Sequence, residues 1–284
     1  MMPYHLFNSS YKKIMIWWQY VIPQHWLSRL MLHFACIKNI WLKNRFIAWF
    51  VKSYQVNLSE AVRENIEDYQ NFNDFFTRAL KPDARKIADS LIVCPVDGKV
   101  SKVGNINNTQ IIQAKNHKYS VEQLLGNDIR SVEFRVGFFI TIYLSPKDYH
   151  RIHMPYYGKL ISMSYIPGDL FSVNQTTAEN VDGLFARNER VVCYFETEFG
   201  LCAFVLVGAI FVGSMQTVWH GQINPPYKKQ IQHFDYSNEG ISLKKGQELG
   251  RFNMGSTVIM LMPDQTNKFS LKETEVVRMG QALV

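Results

Sequence analysis

FGLCAFVLVGAIFVGSMQTVW, residues Phe199 to Trp219, runs for 21 residues without a charge. On length alone it would span a bilayer as a helix. Gly200, Gly208 and Gly213 cut it into strand-length pieces rich in Val and Phe, and Ser214 and Gln216 are polar. The stretch therefore predicts two buried strands joined by a glycine-containing bend. The same texture extends on both sides. After Pro82, short β-prone runs alternate with turn residues: Leu91–Cys94, Lys99–Val103, Thr109–Ala114, Phe138–Leu144, Lys159–Ile166, Val191–Phe195, Leu201–Val207, Ile210–Val212 and Thr257–Met262. The region before Pro82 reads differently. From Gln24 to Tyr54 the apolar residues Leu27, Leu30, Phe34, Ile37 and Trp41 recur at helical steps, while Lys38, Arg45 and Lys52 line another face. Ser59 is placed to cap a helix running to about Asp68, and Asn73–Phe76 to begin a short third one. The expected fold is α+β, with N-terminal helices packed on a mostly antiparallel β core.

Composition limits the function classes. With 284 residues, 47% hydrophobic and 14% aromatic, the chain can bury a substantial core. Cys36, Cys94, Cys193 and Cys202 have no metal-ligand spacing and read as reduced core thiols. The first apolar cluster is broken by Gln19, Pro23 and Gln24, with no small-residue cleavage site after it, so no signal peptide is expected. The net charge of +7 is concentrated at one end. Lys12, Lys13, Arg29, Lys38, Lys43, Arg45 and Lys52 precede Glu60, the first acidic residue, and five of six tryptophans (Trp17, Trp18, Trp26, Trp41, Trp49) share that segment. Basic residues mixed with tryptophan and aliphatics suit an anionic bilayer surface, and no nucleic-acid motif accompanies them. Residues 1–58 are thus expected to be a membrane-associating helical segment and 59–284 a catalytic domain.

Three short segments carry chemistry. Gly255-Ser256-Thr257 sets a hydroxyl beside an unhindered glycine carbonyl. Its attack on that carbonyl would exchange the peptide for an ester. Loss of the serine α-proton then expels the upstream carboxylate, and hydrolysis of the resulting dehydroalanine releases ammonia and leaves a pyruvoyl group. His150 and His153 in KDYHRIH are acid/base candidates, because histidine titrates near neutrality. No Cys or Glu completes a metal site with them, and none is expected. Asp97, in Pro95-Val96-Asp97-Gly98, is either a turn-capping carboxylate or the acid that orients a histidine.

Longer matches surround these parts: FNDFFTR (Phe72 to Arg78), IIQAKNHKYS (Ile111 to Ser120), YLSPKDYHRIHMP (Tyr143 to Pro155), PGDLFSVN (Pro167 to Asn174), LFARNERVV (Leu184 to Val192), ETEFG (Glu196 to Gly200) and KGQELGRFNMGSTVI (Lys245 to Ile259). In this order they resemble the phosphatidylserine decarboxylases of bacteria, the membrane-associated, pyruvoyl-dependent kind, from about Asn57 to the C-terminus. The resemblance implies self-cleavage between Gly255 and Ser256 through a relay of Asp97, His153 and Ser256. The products would be a β chain of residues 1–255 and an α chain of 256–284 that remain associated, with the αβ unit forming a homo-oligomer. Ser256 would become the pyruvoyl cofactor, which holds the substrate amine as a Schiff base while carbon dioxide leaves. His150 would assist the proton step that yields phosphatidylethanolamine. The lipid substrate implies a peripheral position on the cytoplasmic side of the cell membrane. Met254 departs from the family's usual leucine but is similar in size and polarity. A pyruvoyl-dependent decarboxylase of a soluble amino acid is the main alternative. A β-rich hydrolase using Ser256, His153 and Asp97, and a membrane-surface module without activity, are the others.

Overall fold

A computed structural model describes residues 9–114, 117–211, 214–253, 256–263 and 269–284. Three helices open the chain: α1 (Ser9–Val21), α2 (Gln24–Ala35) and α3 (Ile40–Tyr54). Asn39 caps α3 by accepting the Leu42 N–H at 3.0 Å, and Gln55 closes it in the left-handed conformation. A one-turn helix, α4 (Phe72–Phe76), follows, capped by Asn71. Among the described residues no helix is long and apolar enough to cross a membrane.

The β core consists of β1 (Gly98–Asn107), β2 (Gln110–Ala114), β3 (His117–Ser120), β4 (Val136–Leu144), β5 (Arg151–His153), β6 (Gly158–Ile166), β7 (Arg190–Thr197), β8 (Gly200–Val207), β9 (Met215–Thr217), β10 (Gly221–Gln222), β11 (Gln232–Asp235), β12 (Ser242–Leu243), β13 (Glu248–Phe252), β14 (Ser256–Pro263) and β15 (Val276–Val277). The large sheet runs β11-β6-β7-β8-β14-β4-β1-β2-β3, with β12 on β6 and β15 on β1. A small sheet runs β10-β9-β13-β5. Every strand pairing is antiparallel, as expected of an α+β fold with a mostly antiparallel core. Strand β14 is central, hydrogen-bonded to β4 on one side and β8 on the other, and buried along nearly its whole length.

Several local expectations change. The uncharged stretch does make a strand, β8, but its second strand is β9 in the other sheet. Ile210 and Phe211 form a turn; Val212 and Gly213 lie outside the described residues. Leu91–Cys94 makes only a single bridge, Val93 to Ala282. Ser59–Asp68 is not a helix. Ala61 bridges Leu80, the Val62 N–H donates to Ala79 O, and the Lys81 N–H donates to Glu60 O, so the segment lies along 79–81 and only Ile66–Asp68 makes a 3-10 turn. A backbone partner elsewhere in the chain overrides local helix propensity here. Three cysteines are buried thiols as expected, but Cys36 is exposed.

The helices bury polar residues alongside apolar ones. In α2 the buried residues are Gln24, Ser28 and Ala35; in α3 they are Lys43, Ile47 and Phe50. Leu30 and Trp41 of the predicted apolar stripe face solvent. Lys43 turns inward and donates to the Ile66 and Glu67 carbonyls, whereas Lys38, Arg45 and Lys52 are exposed as predicted. Ile47, Phe50, Val56, Tyr69, Phe72, Phe75 and Phe76 share one apolar cluster, which joins α3 to the segment around α4.

Candidate active site

Ser256 is the first residue of β14, paired with Leu144 of β4. It follows β13 after three residues, so the chain crosses from the small sheet to the large one immediately before it. Met254 and Gly255 lie outside the described residues. The Ser256 side chain is fully buried and, among the described residues, its Oγ has no hydrogen-bond partner. An orphaned buried hydroxyl costs about 1–3 kcal/mol, which suits a group destined for chemistry better than one retained for stability. Ser256 lines a cleft of about 550 Å³ whose walls include Phe76, Leu144, Val173 and Phe211, and which continues to Trp18 and Trp49 of the helices.

His150 immediately precedes β5. Its Nδ1 donates to the Asp148 carbonyl at 2.8 Å, because a carbonyl can only accept. Nε2 therefore carries the lone pair of the neutral ring, and it is buried without a partner. The ring packs on Phe76 at 4.0 Å between centroids, and Phe76 lines the same cleft as Ser256. Burial pushes the His150 pKa down to about 3. The imidazole is thus held neutral, with a free basic nitrogen.

His153 ends β5. Its Nδ1 donates to Gly246 O at 2.8 Å, and Nε2 accepts from the Tyr149 hydroxyl at 3.0 Å. Burial lowers its pKa, partly opposed by the Gly246 contact. The His153 N–H donates to Pro95 O at 2.8 Å, which lays the Asp97 segment against β5. The Asp97 carboxylate, however, is held by Arg85. Arg85 Nε lies 3.0 and 3.1 Å from its two oxygens, and Nη2 forms a further short contact. The Met279 N–H adds a bond at 2.8 Å. Burial opposes the charge of Arg85, but pairing with Asp97 and Glu60 outweighs it and raises the pKa. The fold thus ties the Asp97 segment to His153 through Pro95 O, and the strand leading to Ser256 to His150, whose carbonyl accepts the Phe252 N–H at 3.1 Å. Among the described residues, no hydrogen bond joins Asp97 to His153 or either to Ser256.

Gly98, which follows Asp97, is sterically required. A Cβ there would stand 2.5 Å from the Tyr143 carbonyl. The glycine in Pro-Val-Asp-Gly therefore permits β1 to lie against β4, a close approach rather than the turn the motif suggested. Sequence reasoning missed Arg85, whose signal was only a basic residue near an acid-bearing motif. It also missed Arg78. This guanidinium is 4% exposed, donates from Nη2 to Lys147 O at 3.0 Å, and braces the loop that carries His150. No cluster of metal-ligating side chains occurs among the described residues.

Comparison with known proteins gives the family. A family model described as phosphatidylserine decarboxylase matches residues 72–284, and a second, described as PSD, matches residues 14–55. A relative from Methylobacillus flagellatus, called phosphatidylserine decarboxylase proenzyme, is 56% identical over 87% of this chain and 88% of its own. Proteins of the same name from Dechloromonas aromatica and Pseudomonas putida are 52% and 54% identical, each over 93% of this chain and 95% of theirs. A match that spans both sheets and the Ser256 junction at this identity means that the chain belongs to the phosphatidylserine decarboxylase family.

Proposed function

We propose that this protein converts phosphatidylserine to phosphatidylethanolamine and carbon dioxide, using a pyruvoyl group made from Ser256 when the chain cuts itself after Gly255. The observation that carries this reading is the orphaned Ser256 hydroxyl on the wall of a mostly apolar cleft that continues to the tryptophan-bearing helices. Such a cleft has room for a lipid headgroup at Ser256 and for acyl chains toward the helices.

Self-processing requires the hydroxyl to lose a proton as it attacks the Gly255 carbonyl. His153 Nε2 is a base carrying a lone pair, with Tyr149 as its hydrogen-bond donor. Asp97 lies on the segment that pairs with the His153 backbone, and it stabilises positive charge there once its carboxylate swings from Arg85. The bond that breaks is Gly255 C–N. Water later converts the dehydrated serine to the ketone, and ammonia leaves. The pyruvoyl group supplies the electrophilic carbonyl that captures the substrate amine and accepts the electrons released with carbon dioxide. His150 presents the lone pair of Nε2, and it can relay a proton to the substrate carbon if charge developing on the bound substrate offsets the burial that disfavours its cation.

The cut pieces have reason to stay together. Residues 256–263 sit between β4 and β8, β15 pairs with β1, and the N–H groups of Gly280 and Leu283 donate to the carbonyls of Cys94 and Ile92. The membrane side is supported by Trp17, Trp18, Trp26, Trp41 and Trp49, which are 53–68% exposed. With Lys38, Arg45 and Lys52 they form a face suited to a peripheral position on an anionic bilayer. A decarboxylase of a soluble amino acid would need neither that face nor the apolar length of the cleft.

Intact mass and lipid turnover test this together. The expected result is two chains, the shorter beginning with pyruvoyl in place of Ser256, and one uncut, inactive chain for Ser256→Ala. Release of carbon dioxide from phosphatidylserine by uncut Ser256→Ala would overturn the reading.

A further inference from the structure

A surface helix normally turns its polar face to water and its apolar face to the core. Helix α2 instead buries Gln24 and Ser28 beside Ala35, and polar groups of α1 and α2 bind specific backbone atoms. Gln24, 8% exposed, accepts the Leu170 N–H through Oε1 at 2.6 Å, and its Nε2 donates to Gln19 O at 2.6 Å. Gln19 Oε1 accepts the Ser172 N–H at 2.8 Å. Ser28, fully buried, accepts the Phe211 N–H at 3.1 Å. His25 Nε2 stands 3.4 Å from Oε2 of buried Glu189, whose other oxygen accepts from Asn224. The contacts to Leu170, Ser172 and Phe211 fall on two loops, 167–174 and 208–211. Ser172, Val173, Asn174, Ala209, Ile210 and Phe211 of those loops line the cleft at Ser256.

We infer that Gln19, Gln24 and Ser28 are positioning residues for substrate binding, and that α1 and α2 are a wall of the active site as well as a membrane contact. This rests on the reading of the Ser256 cleft as the phosphatidylserine site. The physical reason is satisfaction of backbone donors. Asn188 and the backbone of 187–189 hold Asp169, Phe171 and Gly208, but the N–H groups of Leu170, Ser172 and Phe211 find their acceptors in helix side chains, so these three donors are satisfied only while the helices are seated. Apolar residues on the inward face would have packed as well but would have left those donors unpaired. Turning the polar residues inward also leaves Trp17, Trp26 and Leu30 facing out. One arrangement therefore sets the loop shape and the membrane face together.

The test compares Gln24→Leu, Gln24→Glu and Ser28→Ala. Gln24→Glu keeps an acceptor for the Leu170 N–H. Each protein is assayed for self-cleavage by intact mass, for KM and kcat on a short-chain phosphatidylserine below its aggregation limit, and for co-sedimentation with phosphatidylglycerol vesicles. Gln24→Leu is expected to be fully cleaved, to sediment like the parent, and to show KM raised about tenfold with kcat changed less than about threefold, the loss of one buried hydrogen bond. Ser28→Ala should raise KM in the same direction, and Gln24→Glu should recover most of the affinity. Unchanged KM in both Gln24→Leu and Ser28→Ala overturns the inference. So does a loss of activity that follows lost vesicle binding, or equal impairment of Gln24→Glu and Gln24→Leu. If Gln24→Leu fails to fold, as shown by absent cleavage, Ser28→Ala decides alone. A parent protein that is cut but inert toward phosphatidylserine contradicts the parent reading instead.

Discussion

The helices over residues 9–54 and the sheets over 98–263 treat apolar surface in opposite ways. The strands bury theirs: Phe139, Ile140, Ile142, Phe204, Val205, Leu206, Ile259 and Met260 are at most 1% exposed. The helices bury Ile16, Ala35, Ile47 and Phe50, but they also bury Gln24, Ser28 and Lys43 while leaving Trp17, Trp18, Trp26, Leu30, Trp41 and Trp49 exposed. In water alone the second arrangement wastes hydrophobic driving force, since a buried large side chain is worth about 1.5–3 kcal/mol. It becomes economical when a second apolar phase covers the outer face. On the proposed reading the helices face a bilayer and the sheets water, and mutations should sort accordingly.

The sharpest break in that comparison comes from the core. Arg85→Ala, made in uncut Ser256→Ala protein, leaves the Asp97 carboxylate buried without its cation. We predict a loss of about 3–5 kcal/mol in urea unfolding. In the otherwise native chain, the same change should alter the rate at which the cut form accumulates, read by gel. Stability within 1 kcal/mol of the parent would show that water reaches Asp97 and that the pairing is dispensable.

On the other side, replacing Trp17, Trp26 and Trp41 with Ser should weaken binding to anionic vesicles by about 10²-fold, from roughly 1 kcal/mol for each partly inserted ring. Urea stability should move by less than about 0.5 kcal/mol per site, as for exposed positions in general. A large drop in stability with unchanged vesicle binding would invert the assignment of the two regions.

A pH series sharpens the contrast further. The His150 pKa is depressed to about 3 in the fold, against a usual value of about 6.5. Between those values the unfolded chain binds a proton that the folded chain does not. The stability from neutral His150 is therefore complete above about pH 6.5 and is lost as pH falls toward 3. We predict that His150→Gln flattens the acid-side slope of stability by up to about 1.4 kcal/mol per pH unit. The depressed pKa of His153 should keep some slope in the variant. An unchanged slope would mean that His150 is solvated. The smallest effect is expected at Lys52, exposed in the last turn of α3. Lys52→Gln should cost about 1 kcal/mol of binding to anionic vesicles and nothing on zwitterionic ones.

How much of this was legible in the sequence varied with the kind of information involved. The long strands β1, β4, β6, β7, β8 and β14 were visible because runs of β-branched and aromatic residues separated by turn formers specify them locally. The short strands β5, β9 and β13 were not, since three to five residues carry too little pattern, yet β5 and β13 set out His153 and lead into Ser256. Residues 59–68 read as helix and fold as an extended segment against 79–81, because the competing partner is absent from any local window. The orientation of the N-terminal helices was half legible. Their basic, tryptophan-rich character was plain, but of the periodic stripe Leu27, Leu30, Phe34, Ile37 and Trp41, which the ordinary rule points inward, Leu30 and Trp41 are exposed and the other three only half-buried.

By itself, the sequence determined the α+β class, the charge asymmetry and the candidate residues Asp97, His150, His153 and Ser256, because strand patterning, formal charge and side-chain chemistry are properties of the residues themselves. Only the tertiary structure decided that Asp97 rests on Arg85, that the Ser256 hydroxyl and His150 Nε2 are buried without partners, and that polar helix faces hold the cleft loops. Those are relations between residues far apart in the chain, and burial and pairing have no value until the fold sets which groups lose water and which groups they meet in its place.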